Sequence, residues 1–173
     1  MILVDYTGYM DDKDAIYGEL WNDYGVDSLH GYGDYDDSMI FGYAVGKAIE
    51  SFYNTNIKKG SNVVVQAHEW QSGNAALYVK KHLPAVGTIF TTHATSIGRS
   101  IASNGKPLYD YFEGYNGDQM AAELNVQSKQ SVEKVTAANI DCFTTVSEIT
   151  ARECKQLLER ECDVILENGF EKD

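Results

Sequence analysis

NVVVQAHEWQSGNAALYVKKHLP (residues 62–84) decides the fold. Asn62–Gln66 is a β-rich run, short enough for a strand buried on both faces. The polar cluster Gln66-Ala67-His68-Glu69-Trp70 follows it, Gly73–Leu83 reads as a helix, and Pro84 stops that helix. The same alternation recurs on either side. Ile2–Asp5, Val86–Thr91 and Cys142–Val146 are further strand candidates, and Asp163–Leu166 is a weaker one. Ser38–Tyr53 is the clearest helix, because Ile40, Phe41, Ala44, Val45, Ala48, Ile49 and Phe52 recur at three- and four-residue steps. Asp36 and Asp37 stand at its start, where carboxylates satisfy free backbone N–H groups. Glu148–Arg160 opens after Ser147, a good N-cap, and Val126–Asn139 is a helical patch with less definite ends. Strand and helix in alternation predict an α/β fold, a mostly parallel sheet with helices on both faces.

Composition narrows the classes. The chain has 173 residues, 43% of them hydrophobic and 12% aromatic, which suits one domain with a core and excludes disorder. There is no 18-residue uncharged apolar window, and MILVDYTGYM has no basic region before an apolar run, so neither a membrane span nor a secretory signal is expected. A cytoplasmic protein is the expectation. Cys142, Cys154 and Cys162 lack metal-ribbon spacing and read as buried small hydrophobes. Net charge is −12, and residues 1–53 hold eleven acids against two lysines, which disfavours nucleic acid as a partner. Eight of the twelve tyrosines also fall there, as core aromatics or as a carbohydrate-stacking surface.

Ligands of parallel sheets collect at the carboxyl ends of the strands. Two such ends carry unusual polar clusters: His68 lies in the first, and Thr91-Thr92-His93-Ala94-Thr95 forms the second, followed by Gly98-Arg99. Two histidines on successive strand ends suggest one shared site, although His68 reads equally as a residue capping a strand end. His93 is flanked by threonines, an odd setting for a core position. If Thr95 starts a helix, Arg99 is placed to reach back to an anion held at that helix N-terminus, its alternative being a packing arginine.

Other patterns carry less. Asp34-Tyr35-Asp36 has a D-x-D form but reads as helix capping within an acidic segment. Asp12-Lys13-Asp14 opens like a calcium loop, yet Tyr17 stands where Gly is needed and Asp23 where the bidentate Glu belongs. Gly31-Tyr32-Gly33 is a poor phosphate loop beside Asp34, Asp36 and Asp37, and Ser72 stands where H-E-x-x-H needs its second His. No metal site is expected.

Several of these segments resemble the glycogen synthases of the animal and fungal type, glycosyltransferase family 3. HEWQSG (68–73) is similar to HEWLAG, TTHATSIGR (91–99) to TTHATLLGR, FTTVSEIT (143–150) to FTTVSQIT and ENGF (167–170) to PNGL. GELW (18–21) resembles GDLW, and DDSMIFGYAVG (36–46) the family's acidic start to an apolar helix. The resemblance runs in order over essentially the whole chain. It implies part of the N-terminal Rossmann-like lobe of a two-lobed GT-B glycosyltransferase. Residues 1–173 would then form a single partial lobe, with the nucleotide-binding C-terminal lobe absent and the isolated chain inactive. The family's N-terminal glycine-containing loop has no match here.

The implied reaction is transfer of glucose, with retention, from UDP-glucose or ADP-glucose to the non-reducing end of α-1,4-glucan, without metal or other cofactor. The implied partners are thus the nucleotide sugar and glycogen, with a homo-oligomer expected to be possible and no membrane. By resemblance His93 sits against the donor glucose and Arg99 against its phosphates, the catalytic pair. His68, Glu69, Trp70, Thr92 and Thr95 are the implied substrate-binding residues. Gln71-Ser72 and Ser96-Ile97 replace the family's Leu-Ala and Leu-Leu, which leaves the donor base open. The alternatives are another GT-B glycosyltransferase and a non-catalytic glucan-binding module.

Overall fold

A computed structural model describes residues 1–169. Phe170, the last residue of the ENGF segment, lies outside the described residues. Strands β1 (Val64–His68), β2 (Gly87–Thr92), β3 (Cys142–Thr145) and β4 (Val164–Ile165) form one parallel sheet in the order β1-β2-β3-β4. The helices are α1 (Lys13–Tyr24), α2 (Asp34–Asn56), α3 (Gly73–His82), α4 (Ser96–Ser103), α5 (Gly117–Glu123), α6 (Gln127–Asn139) and α7 (Glu148–Leu157).

Register sets what each face does. Ala67 pairs with Phe90 and Phe90 with Phe143, so these three side chains share one face. Ala76 of α3, Ala137 of α6, and Cys154 of α7 pack on them, with Ile140 and Leu158 just beyond the helix ends. The period of two sends Val64, Gln66 and His68 to the other face, where all three are exposed. The alternation predicts a helical layer on both faces, and among the described residues it lies on one. Every crossover advances one strand in the same direction, and right-handed crossovers then place their helices on the same side.

Helix α2 packs beside α3, beyond β1. Gly42 and Gly46 permit that approach: a Cβ on Gly46 would stand 2.5 Å from the Tyr78 ring. Buried Asn74 of α3 donates from Nδ2 to the Met39 carbonyl at 2.6 Å, joining the helices by a polar bond inside the apolar contact. Of the expected stripe on α2, Ile40 and Ala44 are buried. Phe41, Val45, Ala48, Ile49 and Phe52 instead line an apolar groove of about 540 Å³ beside β1.

Two local expectations differ. Ile2–Asp5 forms no strand, because β-propensity without a hydrogen-bonded partner makes no ladder, and Ile2 and Leu3 are exposed. Helix α2 begins at Asp34 after Gly33, and no acidic side chain caps it. Asp34 pairs with Lys129, while Asp36 accepts from Lys13 and from the Tyr17 hydroxyl, both at 2.7 Å. The carboxylates act through the first-turn dipole and through tertiary bonds. The early tyrosines are mainly core: Tyr35 is fully buried, with Tyr6, Tyr9, Tyr17, Tyr24 and Tyr43 packed around the same cluster.

Candidate functional site

The carboxyl ends of β1 and β2 meet in a polar cluster. β1 ends at His68, and Glu69 takes φ 63° and ψ 163°, a region that side-chain-bearing residues rarely occupy and that costs about 1–3 kcal/mol. This turn drops the chain into a short 3₁₀ segment, Trp70–Ser72, and then into α3. Ser72 holds the turn by donating from Oγ to the carbonyls of His68 (2.5 Å) and Glu69 (3.1 Å). Glu69 N donates to the Thr91 carbonyl at 2.9 Å, tying the bend to β2.

His93 leaves β2 directly opposite. Its Nε2 lies 3.1 Å from His68 Nδ1, so the two rings share one hydrogen bond, with one nitrogen protonated and the other accepting. Glu69 Oε1 accepts from the His93 amide at 3.0 Å and from Arg99 Nη2 at 3.1 Å. The Arg99 side chain remains 59% exposed. His68, Glu69, His93 and Arg99 are therefore one connected group.

Beneath them lies a buried layer. Glu133 of α6 accepts from Thr92 Oγ1 at 3.2 Å and from the Ser96 amide at 2.7 Å. Glu153 of α7 accepts from the Thr95 amide at 2.8 Å and from its hydroxyl at 2.5 Å. The Thr95 hydroxyl in turn caps α4 by accepting from the Gly98 amide at 2.9 Å. A side chain at position 98 has no room, since its Cβ would stand 2.2 Å from Glu153 Oε1. Burial pushes Glu133 up to about 7, against the hydrogen bonds from Ser96 and Thr92, and the Glu69 charge adds to the rise.

The structure separates the seven expected residues into two groups. His68, Glu69, His93 and Arg99 come together at the strand ends. Trp70, Thr92 and Thr95 do not present their side chains there. Trp70 is 5% exposed and stacks on Tyr35 with 6.0 Å between ring centroids, while Lys129 Nζ lies 4.9 Å from its ring centroid. Thr92 and Thr95 are fully buried, their hydroxyls committed to Glu133 and Glu153. The expected anion site at the start of α4 is also altered, because the Ser96 and Gly98 amides are already taken and Arg99 turns to Glu69.

Sequence reading missed Glu133 and Glu153. Each occupies a buried position on its helix, Glu133 beside Val132 and Thr136 and Glu153 three residues after Thr150 and four before Leu157. Their buried neighbours are themselves largely polar, Gln130 and Thr136 on α6 and Thr150 on α7, so no apolar stripe in the sequence marks them.

The family model described as glycogen synthase matches residues 1–172. The chain belongs to the glycogen synthase family. It is 37% identical over 138 residues to the glycogen [starch] synthase of Dictyostelium discoideum, covering 80% of this chain and 16% of that protein. It is 31% identical over 170 residues to the liver glycogen [starch] synthase of Rattus norvegicus, covering 98% and 24%. For the glycogen [starch] synthase of Neurospora crassa the values are 33% over 163 residues, 94% and 22%. The chain thus spans between 16% and 24% of the length of these relatives. In this member of the glycogen synthase family the α/β fold brings the two motifs at 68–73 and 91–99 into contact through Glu69. Among the described residues no helix is long and apolar enough to cross a membrane.

Proposed function

We propose that this chain forms one wall of the donor crevice of a retaining glucosyltransferase, part of the N-terminal lobe of a two-lobed GT-B enzyme. Glucose moves from UDP-glucose or ADP-glucose to the non-reducing end of an α-1,4-glucan. The observation that supports this most is the His68–Glu69–His93–Arg99 group at the carboxyl ends of a parallel sheet, in a chain of the glycogen synthase family. Transfer requires stabilising charge on the departing diphosphate and on an oxocarbenium-like sugar. Arg99 suits the diphosphate, because its guanidinium carries five N–H donors, Glu69 engages one nitrogen, and the side chain is largely exposed. His93 suits the sugar, because Glu69 on its amide, Thr150 on its carbonyl (3.3 Å) and His68 on its ring fix its position.

Cytoplasmic placement belongs to the same reading, supported by three free cysteines. So does a homo-oligomer, supported by the outer edge of β1, which pairs with no strand among the described residues. The test is incorporation of labelled glucose into glycogen by the full-length polypeptide that carries this chain, with UDP-glucose and ADP-glucose as separate donors. Incorporation that depends on Arg99 supports the reading, and no incorporation from either donor refutes it.

A further inference from the structure

Between β2 and α4 the chain is held by carboxylates from three other parts of the fold. Glu69 Oε1 accepts from the His93 amide at 3.0 Å, Glu153 Oε1 from the Thr95 amide at 2.8 Å, and Glu133 Oε2 from the Ser96 amide at 2.7 Å. Glu133 is 0% exposed and Glu153 3% exposed. Burying a carboxylate is costly unless it is paired or fully hydrogen-bonded. Neither acid forms an ion pair among the described residues, so backbone amides and hydroxyls carry that compensation. A purely apolar filling of the same space would avoid the cost. What the acids add is a defined course for residues 92–96.

We infer that Glu133 and Glu153 are positioning residues for the loop that presents His93 and Arg99, an inference that rests on the glucosyltransferase reading. They act only through other groups: Glu133 through Thr92 and Ser96, Glu153 through Thr95 and, by way of the Thr95 hydroxyl, the Gly98 amide. The absence of a side chain at Gly98 supports this, since it alone leaves Glu153 Oε1 room against the first turn of α4. The Tyr109 hydroxyl donates to Glu153 Oε2 at 3.4 Å and fixes the far side of that carboxylate.

The charge state of Glu133 matters to this brace. Around it stand Glu69 from the turn after β1, Glu153 and the Cys154 thiol from α7, and Arg99 of α4 beyond Glu69. The α3 lysines, Lys80 and Lys81, pair instead with Asp141 and Asp23. Burial keeps the Cys154 thiol neutral by pushing it far up. Burial also brings Glu133 to about 7, so it changes charge near neutrality. Ionised, it holds Ser96 by a charge-assisted bond but keeps a charge out of water; protonated, the bond is a neutral one and that cost is gone, and the net upward shift means the second effect outweighs the first.

The test uses the full-length polypeptide with Glu133→Gln, Glu153→Gln and Glu133→Ala. Hydrogen exchange of segment 91–99, referenced to segment 142–145, reports the loop without requiring activity. Wild type should lose at least threefold in relative protection of 91–99 between pH 6 and pH 8, because opening the loop releases the ionised Glu133 carboxylate to solvent. Glu133→Gln, which keeps a carbonyl acceptor and cannot titrate, should abolish that dependence while remaining folded. In the transfer assay kcat should fall at least tenfold in Glu133→Ala with the donor KM within about threefold, Glu133→Gln should recover most of it, and Glu153→Gln should stay within about threefold of wild type. Unchanged exchange at 91–99 in all three variants, or a pH dependence that survives Glu133→Gln, overturns the inference. Absence of transfer by wild type refutes the functional reading alone, because the exchange measurement still decides whether the brace exists.

Discussion

Glu69 Oε1 joins the His93 amide and Arg99 Nη2, at 3.0 and 3.1 Å, from a backbone conformation that favours glycine. Retaining a strained glutamate where glycine would relax the chain indicates that its carboxylate matters more than local stability. Glu69→Gly should therefore change unfolding free energy by no more than about 1 kcal/mol, as relief of strain offsets two lost hydrogen bonds. Transfer should nevertheless fall by roughly tenfold or more, because His93 and Arg99 lose their common anchor. Denaturant unfolding beside steady-state transfer checks both, and a variant that is destabilised while fully active per folded molecule contradicts this role.

Glu133 gives a pH signature in stability. Its carboxyl is raised from 4.5 to about 7 by burial, so between those values the folded protein binds more protons than the unfolded chain. Stability from this group is then fully present below about 4.5 and is lost as pH rises through about 7. The shift corresponds to an effect on the order of 3 kcal/mol. Relative to Glu133→Gln, wild type should lose stability between pH 5 and pH 8 in urea unfolding. An identical pH dependence in both proteins rules the titration out.

Two glycines should respond in opposite ways. Gly46→Ala drives a Cβ to 2.5 Å from the Tyr78 ring, and overpacking of this kind costs about 1–3 kcal/mol. Gly18 lies inside α1 with no atom within 4 Å of a would-be Cβ, so Gly18→Ala should stabilise by about 1 kcal/mol through helix propensity. Melting temperatures read both, and neither should alter kcat per folded molecule, since both positions lie on α1 and α2. A rise for Gly46→Ala would contradict the α2–α3 packing.

The βα units were legible because their signals are local. β1 and α3 fall within two residues of their expected starts, and Ser147 caps α7 by accepting from the Thr150 amide at 3.1 Å, as its position suggested. The strand-end rule brought His68 and His93 together at the expected place. What was not legible depends on partners distant in sequence. Ile2–Asp5 has strand composition but no ladder to join, and Trp70 sits in a polar motif yet turns inward because Tyr35 offers a stacking face. Glu133 and Glu153 look like ordinary helical acids until the fold places the amides of Ser96 and Thr95 against them.

The unpaired outer edge of β1 should support self-association of the 173-residue chain. Light scattering at increasing concentration should show mass above that of one chain, and Val64→Pro should reduce it by removing a backbone donor from the outer edge, since Val63 and Glu69 bond to β2 and the alternate residues face outward. A strictly monomeric chain at high concentration would contradict the idea.

If Arg99 brings its charge to the departing diphosphate, steady-state transfer by the full-length polypeptide, at saturating glycogen over a range of donor concentrations, must depend on that side chain. Arg99→Ala should cost about 2.7–4 kcal/mol, roughly 10²–10³ in rate. Arg99→Lys should recover only part, because an ammonium keeps the charge but loses the planar fork. An Arg99→Ala protein that folds normally and retains near-normal kcat and KM would make Arg99 a packing residue and remove it from the donor crevice.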